Sequence, residues 1–336
     1  EVTALTDQRF GHLEAAQYWL TGTCRSHRAW ASSVKLVHAH MGYTGAHALR
    51  VAAERSVPLV TSFYGRDVTL AHARARLSPA YLPYTLMQKR LFERGDRFVV
   101  LSEHMRAALV AQGCPEEKTR VVRIGIDPNR FTPVEDPAPD AATFRVLLVG
   151  REVQKKGFDD GLRACAQAAA ALESEGIRVK VTLLGTGGPL EGALRALGQQ
   201  LKLDLDWPDP STRVPEAMQR ADVLLVPSRT ADNGDQEGTP TVICEGGAAG
   251  LPVVATRHAG IPDQIDHDQT GLLVAERDIE ALAEALVRLA RQPERRVAFG
   301  RAARQKVIRE FSIAPHRDGL LSVYEELLAS WERTKK

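Results

Sequence analysis

Cysteine is scarce in this chain of 336 residues, with four in all: Cys24, Cys114, Cys165 and Cys244. They are scattered, without zinc-site or thioredoxin spacing, so reduced thiols in a cytoplasmic protein are expected. Long apolar runs are missing as well. None approaches the ~20 residues that cross a bilayer, so the 44% apolar content is free to fill soluble cores. A dominant charge is missing too: 44 basic residues stand against 42 acidic ones, which argues against a nucleic-acid partner. The basic excess is confined to residues 1–140, which hold 18 Lys and Arg against 14 Asp and Glu, so only this half could favour an anionic surface. Repeats of 20–50 residues and low-complexity tracts are absent, which excludes solenoids and arrays. No secretory leader opens the chain, and it begins at Glu1 instead of Met. Removal of upstream residues is therefore expected.

What is present is an alternation of short apolar runs and helical stretches. The strand candidates of the first half are 36–40, 58–63, 97–102 and 119–124. Those of the second half include 144–150, 179–185, 221–228 and 251–256. Strands alternating with helices give parallel sheets covered on both faces. The length is about twice that of a usual domain, and Pro128 to Pro139 is proline-rich with little apolar periodicity, which reads as a linker. The expected division is 1–133, 134–312 and a last helix in 313–336.

One βαβ unit carries chemistry. Between the runs 221–228 and 251–256 the chain reads Gly234-Asp235-Gln236-Glu237-Gly238-Thr239-Pro240-Thr241-Val242-Ile243-Cys244-Glu245, with seven residues between Glu237 and Glu245. Pro240 suits the first position of a helix and Thr239 its N-cap. The amides of Gly238, Thr239, Thr241 and Val242 would then form a positive end able to hold a diphosphate. Glu237 would lie beside whatever that diphosphate carries, and Glu245 could accept hydrogen bonds from a ribose diol. Ligands gather at the carboxyl ends of such strands.

This segment resembles the nucleotide-sugar site of the family-four retaining glycosyltransferases, whose signature is two glutamates seven residues apart. The form from Gly234 to Pro240 is most similar to the colanic-acid and exopolysaccharide branch. The resemblance covers roughly residues 36–330 and is most specific after residue 145. It implies the GT-B fold, an α/β architecture of two doubly wound Rossmann-like domains facing a cleft. The helix Ala314 to Trp331 would cross back to the N-terminal domain, with Leu320, Leu321, Val323, Tyr324, Leu327 and Leu328 as its apolar positions. The family's opening strand and glycine-rich loop have no counterpart in residues 1–33.

The resemblance also assigns roles. Arg151 and Lys156, in Gly150-Arg151-Glu152-Val153-Gln154-Lys155-Lys156-Gly157, would balance the diphosphate without a metal or other cofactor. Lys155 could replace Lys156 on charge alone, but the Lys156-Gly157 step is the one that matches. Gly185 and Gly187 would let the backbone pass close to the nucleotide, and Leu203 to Pro208 would lie against the base. In the N-terminal half, Tyr64-Gly65-Arg66-Asp67 resembles the family's His-Gly-x-Asp element, with Tyr64 in the histidine position. A phenol with a pKa of about 10 is no base at neutral pH. His38 and His40 share one strand face, and His40, nearer the strand's end, is expected with Tyr64, Gly65 and Asp67 on the acceptor side.

The implied reaction is transfer from a UDP- or GDP-sugar to a sugar or lipid-linked acceptor, with retention. Two rival classes are a dinucleotide-dependent oxidoreductase, which lacks its G-x-G-x-x-G turn here, and a non-catalytic sugar-nucleotide-binding protein. A basic, partly apolar stretch from His72 to Arg97 suggests peripheral contact with an anionic membrane at its cytoplasmic face.

Overall fold

The computed structural model describes residues 34–69, 82–133, 142–185, 187–209 and 213–334. Arg74, Arg76, Leu77 and Tyr81 of the basic stretch, Cys24, and the segment where the family's opening loop was sought lie outside the described residues. The chain divides into two compact units, 1–122 with 318–336, and 123–317.

Among the described residues the first unit has four parallel strands in sequence order: β1 (Val37–His40), β2 (Leu59–Ser62), β3 (Arg97–Val100) and β4 (Thr119–Val121). All of β2 is buried, as a parallel strand covered on both faces must be. Between them lie helices α1 (Gly42–Arg55), α2 (Leu82–Arg94) and α3 (Glu103–Ala111). Helix α3 starts where Ser102 Oγ accepts the Met105 amide, a side-chain N-cap.

The second unit holds six parallel strands in the order β10-β9-β8-β5-β6-β7. They are β5 (Thr143–Gly150), β6 (Arg178–Gly185), β7 (Asp204–Asp206), β8 (Val223–Val226), β9 (Val253–Thr256) and β10 (Gly271–Val274). Its longer helices are α4 (Phe158–Leu172), α5 (Glu191–Gln200), α6 (Thr241–Ala248), α7 (Ile279–Arg291) and α8 (Pro293–Glu310). Side chains of β5 alternate between two cores. Phe144, Val146 and Leu148 face one with Phe158, Leu162 and Leu286, while Leu147 faces the other with Leu224, Val226 and Ile243. Strand β10 has no counterpart among the expected runs.

The winding direction reverses between β5 and β8, which are neighbours although two strands, β6 and β7, separate them in the sequence. At such a switch point the loops leaving the two carboxyl ends diverge and open a crevice for ligand. The segment Gly150 to Gly157 leaves β5 there, and the loop to Glu237 leaves β8.

The boundary between units falls at Val122/Arg123, earlier than the proline-rich stretch. The run 119–124 reads as one strand, but Val122 packs with Val60, Val99 and Val323 of the first unit. Ile124, Ile126 and Phe131 join the second core. Ile126 exchanges backbone hydrogen bonds with Phe311 and Ile313 at 2.9 and 3.0 Å. The last helix, α9 (Ile313–Thr334), contributes its residues from Asp318 onward to the first unit. There Val323 and Leu327 are buried, while Leu321 is exposed.

Candidate active site

The loop after β5 tightens into a single 3-10 turn, Gln154–Lys156, closed by Gly157 at φ 60°. A Cβ on Gly157 would lie 2.0 Å from the Pro227 carbonyl oxygen at the end of β8. Only glycine permits both that backbone conformation and that approach. The two loops are thereby clasped together, and the two lysines take separate tasks. Lys155 donates to the Gln236 carbonyl at 3.0 Å and pairs with Asp235 at 3.3 Å, fixing the loop that precedes Glu237. Lys156 Nζ lies 2.8 Å from Glu237 Oε1, off the line of a hydrogen bond, since that oxygen has no hydrogen-bond partner. The stem of Lys156 runs over Gly150, where an added Cβ would sit 3.2 Å from Cε. Arg151 is exposed.

Glu237 is 7% exposed and Gly238 is buried beside it. Helix α6 starts at Thr241, with Pro240 in the N-cap position at φ −67°, ψ 114°. The expected Thr239 cap is corrected: the Thr239 hydroxyl has no partner, because Pro240 is extended and its own carbonyl accepts from Ile243 N at 3.3 Å and Gln264 Nε2 at 3.1 Å. Thr241 and Val242 thus occupy the first turn, whose unpaired amides carry the positive end of the helix dipole. Glu245 is half-buried on the same helix. Burial pushes its carboxyl above the ordinary value, opposed by a hydrogen bond from Thr241 and the charges of Arg130 and Lys156.

Four residues at this site escaped the motif reading. Glu152 is fully buried, and both carboxylate oxygens lack hydrogen-bond partners. Gly185 leaves room for it, since a Cβ there would meet Glu152 Oε1 at 1.7 Å and force that carboxylate to shift, whereas Gly187, at φ 82°, faces open space. Arg229 is buried and pairs with Asp160 at 2.5 Å and Asp159 at 3.0 Å. His258 and Glu276 each sit two residues beyond the ends of β9 and β10, where the rule for ligand sites in parallel sheets could have found them. His258 accepts the Glu237 amide on Nε2 at 3.1 Å and meets Glu276 Oε1 through Nδ1 at 2.7 Å.

In the first unit, His40 Nδ1 and the Tyr64 hydroxyl are 2.5 Å apart. His38 bridges Tyr324 and Ser62 at 2.6 and 2.8 Å. Burial raises the Tyr64 phenol above its ordinary value. Asp67 differs in kind from these. It is 4% exposed, and its carboxylate accepts the amides of Gly42, Tyr64 and Gly65 at 2.9, 3.1 and 3.1 Å. It therefore shapes the loops around Gly65. Met41, next to His40, holds φ 76°, a conformation that costs a non-glycine residue about 1 kcal/mol or more.

Residues 134–306 match the family described as "Glycosyl transferases group 1", and residues 6–130 match "Glycosyltransferase Family 4". An Escherichia coli K12 chain assigned to colanic acid biosynthesis as a glycosyltransferase is 35% identical over 281 residues, 82% of this chain and 66% of that one. The amylovoran biosynthesis glycosyltransferase AmsK of Erwinia amylovora is 33% identical over 300 residues, 85% of this chain and 68% of that one. The chain thus spans about two thirds of the length of these relatives. Among solved structures, sucrose-phosphate synthase from Thermosynechococcus elongatus superimposes with a TM-score of 0.74 at 22% identity, covering 91% of this chain and 76% of that one. Anabaena HepE in complex with UDP gives 0.73 at 18%, covering 93% and 82%. At these identities the two structures share the fold, that of the GT-B glycosyltransferases.

Proposed function

The chain belongs to the group 1 glycosyltransferases, and from that premise we propose that it moves a sugar from a UDP- or GDP-sugar to an acceptor hydroxyl during exopolysaccharide synthesis. The observation that carries this reading is the Lys156–Glu237 contact of 2.8 Å at the switch point of the six-stranded sheet, next to the first turn of α6. A cation, a carboxylate and a helix N-terminus at one crevice suit a group that is anionic at one end and rich in hydroxyls at the other.

In the proposed mechanism, Lys156, Arg151 and the amides of Thr241 and Val242 stabilise the diphosphate as the bond to the anomeric carbon breaks. Glu237 orients the sugar hydroxyls and opposes the positive charge that develops on the ring. Glu245 holds the ribose. Retention follows from attack on the face the diphosphate leaves, with the departing phosphate oxygen taking the acceptor proton. His40 and Tyr64 are proposed to touch the acceptor.

Nucleotide release from UDP- and GDP-sugars tests the reading. Glu237→Ala is expected to lower turnover about a hundredfold, or ~3 kcal/mol, with nucleoside diphosphate affinity nearly unchanged. Glu245→Ala is expected to weaken donor binding by roughly 1–3 kcal/mol. Because fixed cations supply the charge in this scheme, activity is expected to survive EDTA. Loss on chelation with recovery in manganese or magnesium would overturn it.

A further inference from the structure

The carboxylate at the site's centre is held at 237 by a backbone amide, and that amide ends on a side-chain pair. An amide nitrogen can only donate, so His258 Nε2, 3.1 Å from Glu237 N, must present a lone pair. The ring is then neutral and carries its proton on Nδ1, directed at Glu276 Oε1 2.7 Å away. The second oxygen of Glu276 accepts the Thr230 amide at 2.9 Å. One carboxylate therefore grips the β8–α6 loop at two places seven residues apart, directly at Thr230 and through the imidazole at Glu237.

The surroundings favour this single arrangement. His258 is 1% exposed, so a ring nitrogen that lost its partner would find no water to replace it. Arg277, the residue after Glu276, donates to the Thr230 carbonyl at 3.1 Å. Both dyad residues are followed by non-glycine residues in the left-handed region, Ala259 at φ 47° and Arg277 at φ 64°. Such conformations persist where neighbouring contacts fix them.

We propose that Glu276 and His258 are positioning residues for the transfer reaction, holding the neutral Nδ1–H imidazole that fixes the Glu237 backbone and keeps its carboxylate against Lys156. The inference rests on the reading of Glu237 as a contact to the donor sugar. Neither residue touches substrate. Their effect is geometric, and a displacement of about 1 Å at a reacting centre is enough to cost roughly a hundredfold in rate.

The substitution Glu276→Gln separates positioning from packing, because it keeps the shape and removes one acceptor. With its amide oxygen on His258, its NH2 opposes the Thr230 amide. With its NH2 on His258, the ring proton is forced onto Nε2 and opposes the Glu237 amide. Either way a loop contact is lost. The same logic makes the equivalent amide substitution damaging where a buried carboxylate orients a catalytic histidine.

Two measurements test the proposal. In the 15N-labelled, ligand-free protein, the His258 ring is expected as the Nδ1–H tautomer, and Glu276→Gln is expected to shift it toward Nε2–H or to leave both forms. With UDP-glucose and GDP-mannose as donor probes, Glu276→Gln and His258→Phe are expected to lower kcat for nucleotide release by roughly tenfold or more, while KM for the donor stays within about twofold. Glu276→Asp is expected to recover part of the rate. An Nε2–H ring in the unsubstituted protein overturns the proposal, and so does an unchanged kcat in both variants. A fall in donor affinity that matches the fall in kcat would assign the pair to general stability of the unit. If the unsubstituted protein releases nucleotide from neither sugar, the transferase reading is what fails, and the tautomer still decides the dyad.

Discussion

At the residue scale, burial divides groups that look alike in the sequence. Glu152 and Glu237 flank the same crevice, but Glu237 has Lys156 and the Glu152 carboxylate has no hydrogen-bond partner. A buried polar group without a partner costs about 1–3 kcal/mol, and leucine has nearly the same volume. Glu152→Leu is therefore expected to stabilise the protein by about 1–3 kcal/mol, read as a rise in Tm of a few degrees. A fall in Tm would mean that the carboxylate has a stabilising partner. The described cysteines follow the same physics. Burial pushes the thiols of Cys114, Cys165 and Cys244 up to about 12, so they stay protonated and unreactive at pH 8. Alkylation by iodoacetamide at that pH is expected to modify none of the three until denaturant is added. Modification of Cys244 in the native protein would place it outside the core.

At the scale of elements, α2 presents two different faces. Tyr84, Leu91 and Phe92 are buried, while Leu82, Leu86, Lys89, Arg90, Glu93 and Arg94 are exposed, Leu86 to 74%, with Lys89 3.9 Å from Glu93. Leucines beside basic residues on one outward face suit an anionic lipid surface, where each cation contributes about 1 kcal/mol. We propose that this helix rests on the membrane that carries a lipid-linked acceptor. Co-sedimentation at low salt is expected to be stronger with anionic than with neutral vesicles, and Leu86→Ser with Arg90→Glu is expected to abolish the difference. Equal recovery with both vesicle types would make the face an ordinary solvated one. The loop from β8 to α6 behaves differently, being held at Arg229, Thr230, Gln236 and Glu237 by four separate partners. A segment so fixed is suited to present Glu237 in one geometry.

At the scale of the whole molecule, the division at Arg123 has a measurable consequence. Phe131 is 8% exposed in the second core, and losing a buried phenylalanine costs about 3–5 kcal/mol. A fragment of residues 123–317 is expected to melt cooperatively, and one of residues 134–312 to melt lower or not at all. Equal stability of the two would return the boundary to the proline-rich stretch. The sequence by itself determined the class of fold, because short, nearly continuous apolar runs separated by helical stretches point to parallel sheets with both faces covered. It also determined the Glu237–Glu245 and Lys156-Gly157 motifs, because short-range spacing sets the loop and helix that carry them. The tertiary structure alone decided the task of Lys155, which the β8 loop engages through Asp235 and the Gln236 carbonyl while Lys156 meets Glu237. It alone decided the start of α6, where Gln264 from a distant turn holds the Pro240 carbonyl. It alone joined His258 to Glu276 and left Glu152 without a hydrogen-bond partner, because those contacts depend on strands that are adjacent in the sheet and remote in the chain. Local spacing is written in the sequence, whereas contacts across a switch point exist only once the sheet has been wound.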